Sequence, residues 1–149
     1  SVEAILHAHW AEYGRNVYSR HDHEAMPTEV ANGIMAQVRT RCAGLAGASF
    51  GRYTVKFCDD FAYTDPVDGS VSTGQGLRVV FEDGSRIVFR LSGTGTEGAT
   101  VRLYLEAFDA DPATQRLDAQ LALAELIAIA DDISQLKARS GRERPTVIT

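Results

Sequence analysis

The stretch that decides the fold is "GLRVVFEDGSRIVFRLSG", residues Gly76 to Gly93. Two apolar runs flank the pair Asp83-Gly84, and an Asp-Gly pair in that position is the strongest short-range signal for a two-residue hairpin turn. A glycine-rich segment then leads into "GATVRLYLEAF", residues Gly98 to Phe108, which has the same two-residue period. These residues therefore predict three consecutive antiparallel strands.

Helical spacing is found on both sides of these strands. A first helix over residues 1–12 has apolar residues at helical spacing, namely Val2, Ile5, Leu6 and Trp10. We expect Trp10 to be part of the core, packed against the sheet or the long C-terminal helix. Further helices are predicted over residues 26–45 and 112–140, and further strands near Val17 and from Arg52 onward. The predicted fold class is α+β: one antiparallel sheet of about four to five strands, with helices on one face and the other face free.

Length and charge limit the function. The chain has 149 residues, which fits a single domain over residues 1–149, and its 44% hydrophobic content is typical of a globular protein. A net charge of −5 argues against nucleic acid as a partner, because such binding needs a basic face. No run approaches the ~20 apolar residues of a membrane span, so we expect no membrane partner. Because the chain begins without Met, we expect a piece of a longer protein.

The chain has two cysteines, Cys42 and Cys58. Two cysteines in mid-chain, outside any larger framework, are more often reduced and buried than bridged. We therefore expect free thiols and, with them, a reducing cytoplasmic location.

The segment between the last two strands is "RLSGTGTEGATVR", residues 90–102. If the hairpin is symmetric about Thr96, Arg90 lies opposite Arg102 on the free face of the sheet. Two arginines that face each other repel, and an anion between them reverses the sign of that interaction. Arginine matches phosphate with two parallel hydrogen bonds, and glycines let backbone N–H groups converge on an anion. The segment therefore predicts a phosphate site.

Two well-known glycine-rich motifs do not fit this segment. "GTGTEG", residues 93–98, matches the G-x-G-x-x-G pattern of dinucleotide-binding folds, but that pattern requires a following helix and here a strand follows. The glycine loop of protein kinases does join two strands, but the lysine strand and the H-R-D and D-F-G motifs are missing from this sequence. The remaining alternative is a glycine-rich turn with ordinary surface arginines.

"RLSGTGTEGATVRLY" resembles the phosphate-binding loop of the phosphoglucomutases, members of the α-D-phosphohexomutase superfamily. The resemblance continues through "HWAEYGRNVYSRHDHE", "YTDPVDGSVSTGQGLRVVFEDGSRIVFR" and the final "PTVIT", in the order of that family's fourth, C-terminal domain. It implies a TATA-binding-protein-like fold. The sequence contains no segment like the T-A-S-H nucleophile motif or the D-G-D-x-D-R metal motif of the other domains.

The resemblance also implies a set of site residues and a role. Carried over residue by residue, the phosphate-contacting residues are Arg90, Ser92, Gly93, Thr94, Gly95, Thr96 and Arg102, with Thr96 in the more variable part of the loop. The chain would be the phosphate-clamping domain of a phosphoglucomutase that interconverts glucose 1-phosphate and glucose 6-phosphate through glucose 1,6-bisphosphate. It would hold the phosphate that is not transferred, close the active-site cleft, and be inactive alone.

Cofactors and partners follow from the same resemblance. The whole enzyme would need Mg²⁺ and glucose 1,6-bisphosphate, with no metal bound by this chain, and its partners would be the phosphosugar and the other three domains. Two alternatives stay open: a stand-alone, non-catalytic phosphosugar-binding or interaction module, and a mutase for a different sugar. A domain of a larger enzyme should expose an apolar or charged patch where its partners belong, whereas a stand-alone module should be polar everywhere.

Four residues near the start of the chain are candidates for other roles. His21 and His23 alternate along the predicted strand with Asp22 between them, and we expect surface histidines rather than metal ligands. Arg15 and Arg20 would either reach neighbouring domains or form ordinary surface salt bridges.

Overall fold

The computed structural model describes residues 1–60, 63–64, 66–69, 71–72, 76–95 and 98–149. Within them the helices are α1 (Val2–Tyr13), α2 (Thr28–Cys42), α3 (Ala119–Ala122), α4 (Ala124–Ser134) and α5 (Leu136–Ser140). The strands are β1 (Arg15–Met26), β2 (Ser49–Phe50), β3 (Tyr53–Asp60), β4 (Tyr63–Thr64), β5 (Val71–Ser72), β6 (Leu77–Phe81), β7 (Arg86–Gly95), β8 (Gly98–Asp109) and β9 (Val147–Ile148).

Seven of these strands form one sheet in the order β2-β3-β6-β7-β8-β1-β9, and every neighbouring pair is antiparallel. Strands β4 and β5 form a separate two-stranded ribbon. The predicted α+β class is confirmed, but the sheet is wider than the four to five strands expected. The strand near Val17 is twelve residues long rather than short, and β2 and β9 add short strands at the two edges.

Alternate residues of the central strands point to opposite faces, as the two-residue period predicts. Ile87 and Phe89 of β7 are buried, as are Val101, Leu103 and Leu105 of β8. They belong to one hydrophobic cluster with the inward faces of two helices, made of Ala31, Ile34, Met35 and Val38 from α2 and Leu126, Ile129, Ala130 and Ile133 from α4. Each large side chain buried in this way contributes about 1.5–3 kcal/mol to the stability of the fold. Helices α2 and α4 therefore cover one face of the sheet, and the other face stays open.

Helix α1 lies outside this core. It has no buried residue, and Trp10 is only half-buried, with the guanidinium of Arg15 4.6 Å from its ring centroid. The prediction that Trp10 is a core residue is wrong. Helical spacing creates an apolar face but does not specify what covers it, and here α2 and α4 already occupy the covered face of the sheet.

The cysteine prediction is also wrong, because Cys42 and Cys58 form a disulfide. The end of α2 lies beside β3, which brings the two Cα atoms to 5.4 Å, within the usual range for a disulfide. Spacing along the sequence could not reveal this distance. The free-thiol argument for a cytoplasmic location therefore falls away, and that location stays a prediction. Among the residues described, no helix is long and apolar enough to cross a bilayer.

Candidate functional site

The β7–β8 hairpin has the predicted register over most of its length. Arg90 lies opposite Arg102 and Ser92 opposite Thr100, as symmetry about Thr96 requires. Beyond Ser92 the register shifts by one residue, because Gly93 forms a bulge with a left-handed φ of 66°. An added Cβ at Gly93 would meet open space, so the need for glycine there comes from the backbone angle alone.

The predicted polar face is confirmed as well. Arg90 is exposed, Ser92 is half-buried and the Arg102 side chain is 35% exposed, whereas their strand neighbours Phe89 and Val101 are fully buried. Two arginines thus face each other across one strand pair on the open side of the sheet. Like charges directly opposite each other repel, and negative charge close to them lowers that repulsion.

The glycine-rich end of the site is described up to its turn. The backbone register places Thr94 opposite Ala99 and Gly95 opposite Gly98. Thr96, which was predicted to contact phosphate, lies outside the described residues. The phosphate role of the predicted residues stays a prediction, because the register shows where their backbones lie and not what binds there.

Strand β1 adds two charged residues that the sequence analysis did not assign to the site. Asp22 is paired with Arg102 in the sheet, and its side chain is only 6% exposed. Its Oδ1 lies 3.1 Å from Nε of Arg20 and 3.5 Å from Nε of Arg102. None of these three atoms has a hydrogen-bond partner of good geometry, so the contacts are ion pairs in which the N–H groups are poorly aligned.

This arrangement revises the predictions for the first arginines. Arg20 lies on the open face beside the hairpin and its partner is the buried carboxylate of Asp22. The Arg20–Asp22 contact is therefore not an ordinary surface ion pair. Arg15 instead turns away from the site, since its Nη1 donates to the carbonyls of Gln115 and Leu117 at 2.8 and 2.7 Å. The two-residue spacing of Arg20 and Asp22 along a strand indicates that they share a face. It does not indicate that this face lies beside Arg102.

A bulge in β1 lies against Gly98, the first residue of β8. The register with β8 shifts between His23 and Met26, and Ala25 has a φ of 52°. The guanidinium of Arg142 donates to the carbonyl oxygens of Glu24 and Ala25 and holds this bulge. Gly98 packs directly against it: an added Cβ would lie 2.7 Å from the carbonyl oxygen of Met26, and its φ is 94°. Only glycine fits there.

His21 and His23 do share a face, but it is the covered face, and both are buried. Nε2 of His21 lies 2.8 Å from Oε1 of Gln120, whose amide nitrogen in turn donates to Ser19 at 2.8 Å. Burial lowers the pKa of His23 to about 4, helped by the nearby His21 and Arg142 and opposed by Asp22. The expectation of surface histidines is wrong. In the part of the chain that the structure describes, no group of three or more His, Cys, Asp or Glu residues could hold a metal ion.

Comparisons with known proteins agree on one family. Residues 15–146 match the family model described as "Phosphoglucomutase-1, C-terminal domain". The chain is 54% identical over its whole length to a phosphoglucomutase of Rhizobium radiobacter and 50% identical to phosphoglucomutase-1 of Homo sapiens, covering 28% of each. It is 53% identical to a chloroplastic phosphoglucomutase of Solanum tuberosum, of which it covers 24%. The chain thus spans about a quarter of the length of these curated relatives.

A solved structure shows the same fold. The open form of the exocytosis-sensitive phosphoprotein pp63/parafusin, a phosphoglucomutase from Paramecium, superposes on the whole chain with a TM-score of 0.84 and 42% sequence identity. The match covers 25% of that protein. Both the family model and the superposition therefore include the β7–β8 hairpin and the strand β1 beside it.

Proposed function

Because this chain belongs to the family of phosphoglucomutase C-terminal domains, we propose that residues 1–149 form the phosphate-clamping domain of a phosphoglucomutase. The domain would bind the phosphate group of the sugar that is not being transferred. The contacts would come from Arg90, Ser92, Gly93, Thr94, Gly95, Thr96 and Arg102. The reaction would interconvert glucose 1-phosphate and glucose 6-phosphate through glucose 1,6-bisphosphate.

The observation that carries the proposal is the position of Arg90 directly opposite Arg102 at the glycine-rich end of the hairpin. The register puts both arginines on one face of the hairpin, and a phosphate between them would accept charged hydrogen bonds from both guanidinium groups. Gly93 allows the backbone to bulge at this point, and in general a left-handed residue can turn successive backbone N–H groups toward an anion. Charge and backbone therefore favour the same ligand.

A clamp of this kind suits a reaction in which the sugar must be held by either end. Arginines and backbone amides recognise a phosphate dianion and make no demand on the rest of the sugar. The same site can therefore hold the 6-phosphate in one half-reaction and the 1-phosphate in the other. Closing the domain over the substrate would also keep water from the phosphoryl group that is being transferred.

The reacting groups would lie in the other three domains. The residues that the structure describes offer no cluster of metal ligands and do not fit Mg²⁺. We propose that the phosphoserine and its metal are supplied by the rest of the enzyme and that this chain has no turnover alone.

The exposed side chains of α1 support a place within a larger enzyme. Val2, Ile5 and Tyr13 are 84%, 72% and 64% exposed, and they form an apolar surface along one helix. A stand-alone module was expected to be polar everywhere, whereas a domain of a larger protein exposes apolar surface where its partners pack. We propose that the other domains of the same chain cover α1.

A titration followed by backbone amide NMR tests the proposal. Glucose 1,6-bisphosphate is added to the 149-residue chain, with glucose as the uncharged control ligand. We expect saturable shifts centred on residues 92–96, and none in the variant Arg90→Ala/Arg102→Ala. No shifts in the wild-type chain at millimolar bisphosphate, or equal shifts in the double variant, would refute a self-contained clamp. Turnover by the chain alone would contradict its assignment as a non-catalytic part.

A matched control comes from the same strand. Arg86 lies four residues before Arg90, on the same face of β7, but Nε of Arg86 is ion-paired with Glu106 at 2.9 Å. Arg86→Ala removes the same charge from the same face. It should leave the shifts at residues 92–96 unchanged, which separates a specific clamp from general attraction to a positive strand.

A further inference from the structure

Asp22 is a buried carboxylate on the face of the sheet that is otherwise open. Its side chain is 6% exposed, whereas the neighbouring side chains of Arg20 and Arg102 are 34% and 35% exposed. Asp22 pairs with Arg102, and Arg102 pairs with Arg90, so three charged residues form one row across β1, β8 and β7. Arg20 lies two residues from Asp22 on the same strand and contacts the same carboxylate oxygen.

The phosphate site proposed above makes no use of this carboxylate. A negative charge beside a bound phosphate opposes binding by direct repulsion, so any contribution of Asp22 to binding must come through the arginines. The contacts show how it would do so. For both Arg20 and Arg102, the nitrogen closest to Asp22 is Nε, and both Nε atoms are buried.

We infer that Asp22 is the positioning residue of the phosphate site, and that it holds Arg20 there as a third arginine beside Arg90 and Arg102. The inference rests on the proposed function. The carboxylate of Asp22 contacts Nε of two guanidinium groups. The terminal Nη nitrogens of both groups would then donate hydrogen bonds to the ligand. Two long side chains held by one buried carboxylate lose less conformational freedom when phosphate arrives.

The charges of the cluster fit the same ligand. Three arginines and one carboxylate give a net charge of plus two in formal terms. A phosphate monoester carries about −1.5 to −2 at neutral pH, so the cluster neutralises one such group.

Substitution of Asp22 by asparagine separates positioning from simple charge. Asp22→Asn keeps the shape of the side chain and removes a negative charge that repels phosphate. If Asp22 acted only through charge, this variant would bind phosphate more tightly. If it positions Arg20 and Arg102, binding should weaken by about tenfold or more, the loss expected for charged hydrogen bonds that are no longer oriented.

The measurement is calorimetric titration of inorganic phosphate and of glucose 1,6-bisphosphate into the 149-residue chain. A second readout is the set of arginine ¹⁵Nε–Hε signals in NMR spectra. We expect the Nε–Hε signals of Arg20 and Arg102 to be resolved in the wild type and shifted toward exchange-averaged positions in Asp22→Asn. Asp22→Glu keeps the charge and should restore part of the affinity that Asp22→Asn loses.

Two further variants keep the inference testable if Asp22→Asn folds poorly. Arg20→Lys leaves Asp22 and the net charge in place but removes the fork, and it should weaken binding of both ligands by about tenfold. Arg86→Ala, outside the cluster, should leave both affinities unchanged. An Arg20→Lys variant with wild-type affinity would remove Arg20 from the site and overturn that part of the inference.

The outcomes distinguish this inference from the proposed function. Binding by the wild-type chain that Arg90→Ala/Arg102→Ala abolishes, but that Asp22→Asn leaves equal or tighter, would overturn the positioning role alone. Absence of binding to the wild-type chain would overturn both. Weaker binding in Asp22→Asn together with loss of the two Nε–Hε signals would support positioning, since a merely structural ion pair would change thermal stability without this signature.

Discussion

The two ends of the β7–β8 hairpin carry arginines on the same face, in opposite electrostatic settings. At the end of the hairpin away from the glycine-rich segment, Arg86 lies opposite Glu106, and Nε of Arg86 is 2.9 Å from Oε2 of Glu106. Four residues further, at the glycine-rich end, Arg90 lies opposite Arg102. In the first pair the arginine faces its carboxylate partner across the ladder, whereas in the second an arginine faces another arginine, and Arg102 has its carboxylate partner, Asp22, on the neighbouring strand β1. Position along a strand therefore says little about an arginine's role, and the residue across the ladder says much more.

The largest effect should come from breaking the glycine-rich end itself. Gly98→Ala combines a left-handed φ of 94° with a Cβ placed 2.7 Å from the carbonyl oxygen of Met26. We expect a loss of about 2–5 kcal/mol in the free energy of unfolding, from backbone strain and overpacking together. Urea unfolding monitored by circular dichroism measures it.

Gly84 supplies the matched control for that substitution. Its φ is 89°, but an added Cβ would meet nothing within 4 Å. Gly84→Ala should therefore cost only the strain term, about 1–2 kcal/mol. Equal losses in the two variants would show that the contact between Gly98 and the β1 bulge does not restrict the site.

The next effect is on binding and compares the two arginines directly. Arg90→Ala should weaken binding of glucose 1,6-bisphosphate by about 10–150-fold, because a charged hydrogen-bonded contact contributes about 1.5–3 kcal/mol. Arg86→Ala should change the dissociation constant less than twofold. Isothermal titration calorimetry of both variants checks this, and comparable losses would mean that the strand attracts anions without a defined site.

A pH experiment tests the covered face of the sheet, where His23 is buried. Burial lowers the pKa of His23 to about 4 from an ordinary 6.5, so the unfolded chain binds more protons between these pH values. The free energy of unfolding should therefore fall as the pH drops from 6.5 to 4, by less than the one-proton limit of about 1.4 kcal/mol per pH unit.

The pH measurement needs two variants, because carboxylates also titrate in this range. His23→Gln should show a shallower loss of stability than the wild type, while His9→Gln, which changes an exposed histidine of α1, should follow the wild type. If the free energy of unfolding of His23→Gln fell with pH as steeply as that of the wild type, groups other than His23 would cause the acid sensitivity.

The smallest effect should be at the satisfied end of the hairpin. Glu106→Gln breaks the ion pair with Arg86, whose side chain is 51% exposed. We expect a loss of about 0–1 kcal/mol in stability, as for other surface pairs, and no change in bisphosphate affinity. A measurable gain in affinity would show that releasing Arg86 adds a cation to the clamp.

The hairpin and its polar face could be predicted because they depend on local rules. The two-residue period puts Arg90 and Arg102 on one face, and the turn centre puts them opposite each other. The bulge at Gly93 was not predicted, since a glycine in a glycine-rich run does not say which residue will be the extra one. Asp22 was missed for a different reason: it meets Arg102 only because β1 pairs with β8, eighty residues away in the chain.

The helices show the same division. The first two helices form where apolar spacing predicts them, but the prediction of one helix over residues 112–140 is wrong: residues 112–118 are not helical and three short helices, α3, α4 and α5, follow. What covers each helix did not follow, and Trp10 was assigned to a core that it does not join. The pairing of Cys42 with Cys58 was missed because it depends on the approach of α2 to β3, a distance that residue spacing does not contain.

The sequence by itself determined the fold class, the central strands, the first two helices, the face that carries the arginines and the resemblance to one enzyme family. These depend on periodicity, turn residues and contiguous motifs, all of which are local along the chain. Tertiary structure alone decided which strand adjoins the hairpin, that Asp22 is buried between two arginines, and that α1 keeps its apolar face exposed. Such properties depend on contacts between distant segments, where many pairings satisfy the same local pattern and only packing of the whole chain selects one.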